Sequence, residues 1–142
     1  MPLNEAQELV TRFHEHIGAT VSNSPQLLPC SRTAARWLAV QVHNLAQIAA
    51  QGAEGTKDLL LSRTALSLEE LAEWLLAHAD SDLDAAADAI ADRAYVVVGD
   101  AVAAGLPLAD LFDAIHTSNM SKLPGVTTAS IEVGCSNCLP QY

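Results

Sequence analysis

Apolar and polar positions repeat with a helical period over most of this chain, beginning close to the N-terminus. The first repeat starts at Asn4, a predicted N-cap, and ends at Gly18, a residue typical of helix C-termini. Two prolines and a Ser/Asn cluster predict a connection over residues 18–31. Ser31 is then predicted to cap a second helix, which the glycine-containing stretch 51–55 ends.

The third segment allows two interpretations. Ser67 and Glu70 match the S-x-x-E capping box, which would begin a helix at Ser67. However, one apolar stripe continues without a helix breaker from about residue 57 to Ala79. The continuous stripe favours a single long helix with Ser67 inside it.

Two further helices are predicted in the second half of the chain. The fourth opens with aspartates near residue 80 and closes at Gly105. The run YVVV at 95–98 is compatible with a strand, but the helical pattern on both sides favours a helix. Pro107 suits the first position of a last helix, which ends near residues 120–122.

The composition supports an all-α fold. Half of the residues are hydrophobic and only 4% are aromatic, with alanine and leucine dominant. This composition favours helices over a sheet. We therefore predict a helical bundle of four to five helices, completed by oligomerisation, in a single domain over residues 1–142 with an irregular tail at 124–142.

Charge and cysteine content exclude several classes of function. The formal net charge of −10 argues against a nucleic-acid partner. No apolar run of membrane-spanning length and no signal sequence is present, so we expect no membrane partner and a cytoplasmic location. Cys135 and Cys138 form a CxxC, but they supply only two of the four ligands that a structural zinc needs.

Clustered carboxylates are the candidate chemistry. Glu69, Glu70 and Glu73 project from one side of the third helix, and Asp88 and Asp92 share a face of the fourth. If a short turn pairs these helices antiparallel, the two sets lie at similar depth. The alternative is a solvated acidic face. Because these acids interrupt apolar segments, we predict a site for a hard divalent cation, Mg²⁺ with Mn²⁺ as a substitute.

The same residues resemble a known family. EELAE at 69–73, DAIADRAYVV at 88–97 and HTSNMSK at 116–122 are similar to motifs of the MazG-like all-α nucleoside triphosphate pyrophosphohydrolases, over about residues 58–123. The resemblance implies that Glu70, Glu73 and Asp92 bind Mg²⁺. It also implies that Glu69 is catalytic, either by binding a further ion or by polarising the attacking water.

The chain departs from the family pattern at one ligand position. The family has ExxD, whereas Ala89 precedes Asp92 by three residues here. Either Asp88 supplies the missing carboxylate, or the site has one ligand fewer. The helical segment 32–56 is also longer than is usual for the family at that point.

The implied activity is hydrolysis of nucleoside triphosphates to monophosphate and pyrophosphate, as nucleotide-pool house-cleaning with dUTP or dCTP as candidate substrates. Divalent ions bridge phosphate oxygens in such sites, so an acidic protein needs them for binding as well as for catalysis. One alternative is a catalytically weakened bundle that binds nucleotides or a protein partner. Another is an enzyme like phosphoribosyl-ATP pyrophosphohydrolase, which the NMSK ending fits poorly.

Four further residues are candidates for substrate binding. Asn119 and Lys122 follow from the resemblance, and His116 lies on the same helix. The alternative for His116 is an interaction with the dipole at the helix C-terminus. Tyr95 is the fourth candidate, with a core or interface role as its alternative. The family also implies a homodimer or homotetramer.

Overall fold

The fold is described from a computed structural model, which describes residues 1–125. Helices make up 78% of this part of the chain, and it contains no strand, so the all-α prediction is confirmed. Cys135, Cys138 and the predicted tail beyond Gly125 lie outside the described residues. The helices are α1 (Leu3–Ile17), α2 (Arg32–Thr56), α3 (Leu59–Ala79), α4 (Leu83–Ala104) and α5 (Leu108–Ser121).

Local capping explains most of the helix ends. The side chains of Ser31, Asp58 and Asp82 each accept a hydrogen bond from the backbone N–H three residues further on, at 3.0–3.2 Å. These bonds satisfy donors that the first turn of a helix leaves unpaired. Gly18 and Gly105 end α1 and α4 at φ 68°, a left-handed conformation that glycine adopts without strain. The predicted cap at Ser31 and the predicted ends at Gly18 and Gly105 are therefore confirmed.

Three predicted boundaries were wrong. Pro107 immediately precedes α5, which begins at Leu108, so it is not the first helical residue. Asn4 lies inside α1, which begins at Leu3, so it is not the N-cap. The stretch 51–55 does not end α2, which continues to Thr56. A packing contact accounts for one of its glycines, because a Cβ at Gly52 would lie only 3.0 Å from Leu61 Cδ1. The third segment is one helix through Ser67, as the continuous stripe predicted.

The chain divides into two compact units. In one unit, Ser24–Gly105, α3 packs against both α2 and α4. In the other, which joins Met1–Asn23 to the described residues from Leu106 to Gly125, α1 packs against α5. The single domain over residues 1–142 stays a prediction.

Alanine forms nearly all of the interior of the α2–α3–α4 unit. Eleven of the twelve buried apolar residues among those described are alanines, and the other is Val42. Small side chains let helix axes approach closely, which explains how three long helices pack with little aromatic content. The buried apolar positions are Ala35, Ala39, Val42, Ala46, Ala49, Ala65, Ala72, Ala77, Ala79, Ala86, Ala89 and Ala101.

Several large apolar side chains of this unit are exposed to solvent. Trp37 and Ile48 on α2 are 64% and 65% exposed, and Tyr95 and Val102 on α4 are 81% and 76% exposed. Their exposure removes the core role considered for Tyr95. Within residues 1–125, no single helix is long and apolar enough to span a membrane; α4 and α5 reach that length and hydropathy only when taken together across a break.

Candidate functional site

The register between α3 and α4 sets the geometry of the site. The two helices are joined by a short turn in which Ser81 has φ 56°. Near the start of α3, Arg63 forms an ion pair with Asp100 and donates to the Val96 carbonyl oxygen at 3.2 Å near the end of α4. The helices are therefore antiparallel, as the short turn predicted.

The same register brings carboxylates from the two helices together. Glu70 lies seven residues beyond Arg63, and Asp92 lies eight residues before Asp100. Because the rise per residue is the same in both helices, Glu70 and Asp92 lie at nearly the same level. Glu69 and Glu70 are half-buried, whereas Glu73 and Asp92 are exposed at the edge of the helix pair.

Electrostatics show that four of the predicted side chains act on one another. Burial raises the pKa of Glu70, and the negative charges of Glu73, Asp92 and Glu69 raise it further. Asp88 is exposed and is not among the charges that act on Glu70. We call Glu69, Glu70, Glu73 and Asp92 the carboxylate cluster.

One oxygen of the carboxylate cluster lacks any partner. Glu70 Oε2 is buried from solvent and accepts no hydrogen bond in the described part of the chain. A buried carboxylate oxygen without a partner is unfavourable unless a donor or cation contacts it. Oxygen ligands of this kind are what Mg²⁺ and Mn²⁺ bind, so the donor set fits a hard divalent cation.

The cluster is not a preformed metal site. Among residues 1–125, no group of three or more His, Cys, Asp or Glu side chains is arranged to hold a metal ion. Like-charged side chains repel when no cation lies between them, which gives a physical reason for their separation. The identity of the ligands therefore stays a prediction, supported by the mutual effect on the pKa of Glu70.

The position where the family has a glutamate is occupied by a packed alanine. Ala89 is only 1% exposed on α4, the helix that packs against α3. Asp92, one turn later, is exposed at the edge of the helix pair. A carboxylate at residue 89 would thus have to enter a tightly packed interface.

A basic residue beside the cluster, Arg93, was not singled out by sequence patterns, whereas its neighbour Trp74 was expected to be a core or interface aromatic. The Arg93 guanidinium lies 5.9 Å from the centroid of the Trp74 ring, a cation–π distance. The Trp74 ring also contacts His78, with centroids 4.4 Å apart. In the sequence, Trp74 directly follows Glu73, and Arg93 directly follows Asp92. This position next to a cluster carboxylate is the sequence signal that could have identified the contact between Trp74 and Arg93.

His78 is a structural histidine. Its Nε2 accepts the Leu28 N–H at 3.1 Å, and its Nδ1 lies 2.8 Å from the Trp74 carbonyl oxygen, to which it donates. His78 is 5% exposed. Both ring nitrogens are thus used to fix the segment before α2 against the end of α3.

The predicted substrate-binding residues of α5 lie in the unit formed with α1. Burial lowers the pKa of His116, the nearby Arg12 lowers it further, and Asp113 opposes the shift. The helix-dipole alternative needs a charged imidazole, which burial and Arg12 disfavour. Asn119 is half-buried and Lys122 is exposed, and their part in substrate binding stays a prediction, as does that of Tyr95.

The fold and the carboxylate cluster together define the class of protein. The chain is an all-α protein whose antiparallel helices carry clustered carboxylates with an unpartnered oxygen, a donor set suited to divalent cations. The family model for phosphoribosyl-ATP pyrophosphohydrolase matches residues 43–119, more than half of the chain. The chain belongs to this family, which is part of the MazG-like all-α nucleoside triphosphate pyrophosphohydrolase superfamily.

The matched residues include the whole carboxylate cluster, Ala89, Tyr95, His116 and Asn119, whereas Lys122 lies just beyond them. The family match supports pyrophosphohydrolase activity on nucleotides, and enzymes of the superfamily generally use divalent metals. Comparisons with curated proteins and with solved structures gave no significant match.

Proposed function

We propose that this protein hydrolyses the bond between the α and β phosphates of a nucleotide, with a divalent cation held by Glu70, Glu73 and Asp92. The observation that supports this most directly is the buried, unpartnered Glu70 Oε2 among three further carboxylates. We propose Mg²⁺ as the cation, with Mn²⁺ as a substitute, because both prefer carboxylate oxygen.

The side chains have distinct roles in this proposal. When bound, the cation supplies positive charge that neutralises phosphate oxygens and acidifies water. Glu69 orients the attacking water and accepts its proton, while Arg93, beside Asp92, balances negative charge on the phosphates. The water oxygen bonds to phosphorus, the bridging P–O bond breaks, and its electron pair leaves with the departing phosphate. The products are a nucleoside monophosphate and pyrophosphate.

The favoured substrates are deoxynucleoside triphosphates, with dUTP and dCTP as candidates and nucleotide-pool house-cleaning as the role. This choice follows from the HTSNMSK ending at 116–122, in which we propose that His116, Asn119 and Lys122 contact the nucleotide. A second candidate substrate is phosphoribosyl-ATP, because the matching family model carries that activity in its name. Both contain the α–β phosphate bond that the proposed chemistry cleaves.

The test is product analysis of the full chain with a panel of nucleotides and phosphoribosyl-ATP. With Mg²⁺ we expect equimolar monophosphate and pyrophosphate from at least one compound, and none with EDTA. Glu69→Gln serves as the catalytic control and is expected to abolish release. If no compound releases pyrophosphate while Mn²⁺ still binds, the weakened nucleotide-binding alternative replaces the enzyme.

We also propose that the protein is a homodimer or homotetramer. The large apolar side chains on the outer faces of α2 and α4, including Ile48 and Val102, support this because a second copy would remove them from water. Sedimentation should give a mass that is a multiple of 15.0 kDa. A 15.0 kDa species alone at micromolar concentration would contradict the proposal.

A further inference from the structure

A cavity lies at the opposite end of α3 from the Arg63–Asp100 pair. It is open to solvent on one side and has a volume of about 590 Å³. The cavity lies within the α2–α3–α4 unit, where the start of α2 meets the end of α3. Its lining residues are Arg32, Thr33, Arg36, Trp37, Val40 and Ala79.

This cavity is separate from the carboxylate cluster. Ala79, its contribution from α3, is nine residues beyond Glu70. At about 100° and 1.5 Å per residue, nine residues place Ala79 about half a turn around the helix and about 14 Å along it. The cavity therefore opens on the other face of α3 from Glu70, and a ligand bound there does not lie between the proposed catalytic side chains.

The cavity concentrates positive charge in an acidic protein. Arg32 Nε donates to the Ala79 carbonyl oxygen at 2.8 Å, which fixes the guanidinium at the wall. Arg36 donates to the same oxygen at 3.4 Å and pairs with Asp80 Oδ1 at 2.5 Å. Asp80 is thus paired with Arg36, and no ion pair joins it to Arg32.

Arg32 keeps donors for a ligand. Within residues 1–125, its two terminal nitrogens form no hydrogen bond or ion pair, which leaves them available to an anion in the cavity that Arg32 lines. A guanidinium edge of this kind binds phosphate with two parallel hydrogen bonds. The partial positive charge at the N-terminus of α2 adds to the attraction for an anion.

Trp37 supplies the second half of the recognition surface. It lines the cavity one residue after Arg36 and is 64% exposed, so part of its ring is available for stacking. Planar nucleobases stack on exposed aromatic rings with little dependence on sequence. A nucleoside phosphate combines the two groups, an anion and a flat ring, that this cavity recognises.

We propose that the cavity is a second nucleotide site, in which Arg32 binds the phosphate and Trp37 stacks on the base. The proposal does not rest on the hydrolase activity. It also predicts binding without a divalent cation, since the charge on Arg32 is permanent. The carboxylate cluster, by contrast, repels phosphate when no cation is present.

The experiment is a titration of the full chain in EDTA, followed by the indole N–H signals of Trp37 and Trp74 in NMR spectra and by calorimetry. The probes are dUMP, AMP and ribose 5-phosphate, the last of which has the phosphate but no base. We expect dUMP and AMP to shift the Trp37 signal saturably and to leave Trp74 unchanged. Ribose 5-phosphate should bind about tenfold more weakly, because it cannot stack.

Two variants and a control separate recognition from folding. Arg32→Ala should weaken dUMP binding about tenfold. Trp37→Ala, at an exposed position, should weaken dUMP binding while leaving ribose 5-phosphate binding unchanged. Lys57→Asn removes one positive charge at the far end of α2 and should change neither. An unmoved Trp37 signal, equal shifts of both indoles, or the same loss in Lys57→Asn overturns the proposal.

Discussion

Replacing Glu70 with methionine should stabilise the protein when no divalent cation is present. Methionine is close to glutamate in length but carries no charge and no oxygen. In the wild type, Glu70 Oε2 is buried without a partner, and such a group costs about 1–3 kcal/mol. At about 4 °C per kcal/mol for a chain of this size, Glu70→Met should melt about 4–12 °C higher than the wild type.

The pH dependence of this difference has a definite sign. Burial, Glu73, Asp92 and Glu69 raise the pKa of Glu70 in the folded state, so folding favours its protonated form. The stability linked to that proton is present below the ordinary glutamate pKa and is lost as pH rises through the folded pKa. The advantage of Glu70→Met should therefore be largest in mildly alkaline buffer and should shrink as the pH falls towards the ordinary glutamate range.

The assay is thermal unfolding by circular dichroism in EDTA over a pH series. Glu54→Met is the control, because it removes the same charge at an exposed position of α2 outside the carboxylate cluster, where effects stay within about 0.5 kcal/mol. Adding Mg²⁺ should raise the melting temperature of the wild type more than that of Glu70→Met. If Glu70→Met melts at or below the wild-type temperature in EDTA at every pH, the reasoning from the unpartnered oxygen is refuted.

Three other changes test neighbouring parts of the structure. Ala89→Glu should lower stability by about 1–3 kcal/mol without raising turnover, because Ala89 is 1% exposed; a large gain in turnover would instead favour the weakened-enzyme alternative. In NMR titrations, the pKa of His116 should lie below the ordinary histidine value, and Arg12→Ala should raise the pKa of His116. Arg63→Met should lower the free energy of unfolding by about 1–2 kcal/mol in urea, since it loses the partly exposed pair with Asp100; an unchanged value would show that this pair does not hold α3 against α4.

The helices could be predicted because their signals are local. Ser31 caps α2 through a bond to a residue three positions away, and Gly105 ends α4 through its own backbone conformation. The similar depth of the two carboxylate sets followed from helix rise and a short turn, which also depend on neighbouring residues alone. Periodicity outweighed the strand preference of residues 95–98, which lie within α4.

What could not be predicted is which apolar face packs inside. Along α2 the sequence offers an alanine stripe and a face with Trp37 and Ile48, and both repeat every three to four residues. The alanine stripe is buried because it allows close approach to α3, a choice that depends on the partner helix. For the same reason, the burial of Ala89 and the exposure of Asp88 follow from how α4 is rotated, which spacing along the chain does not give.

The central claim is that the carboxylate cluster holds a divalent cation, and Mn²⁺ titration followed by electron paramagnetic resonance tests it without relying on turnover. The wild-type protein should remove free Mn²⁺ from solution with saturable stoichiometry, and Mg²⁺ should compete. Glu70→Gln should lose this binding, whereas Asp84→Asn, an exposed acid in the first turn of α4, should keep it. Absence of Mn²⁺ binding by the wild type, or equal binding by Glu70→Gln, would contradict the account.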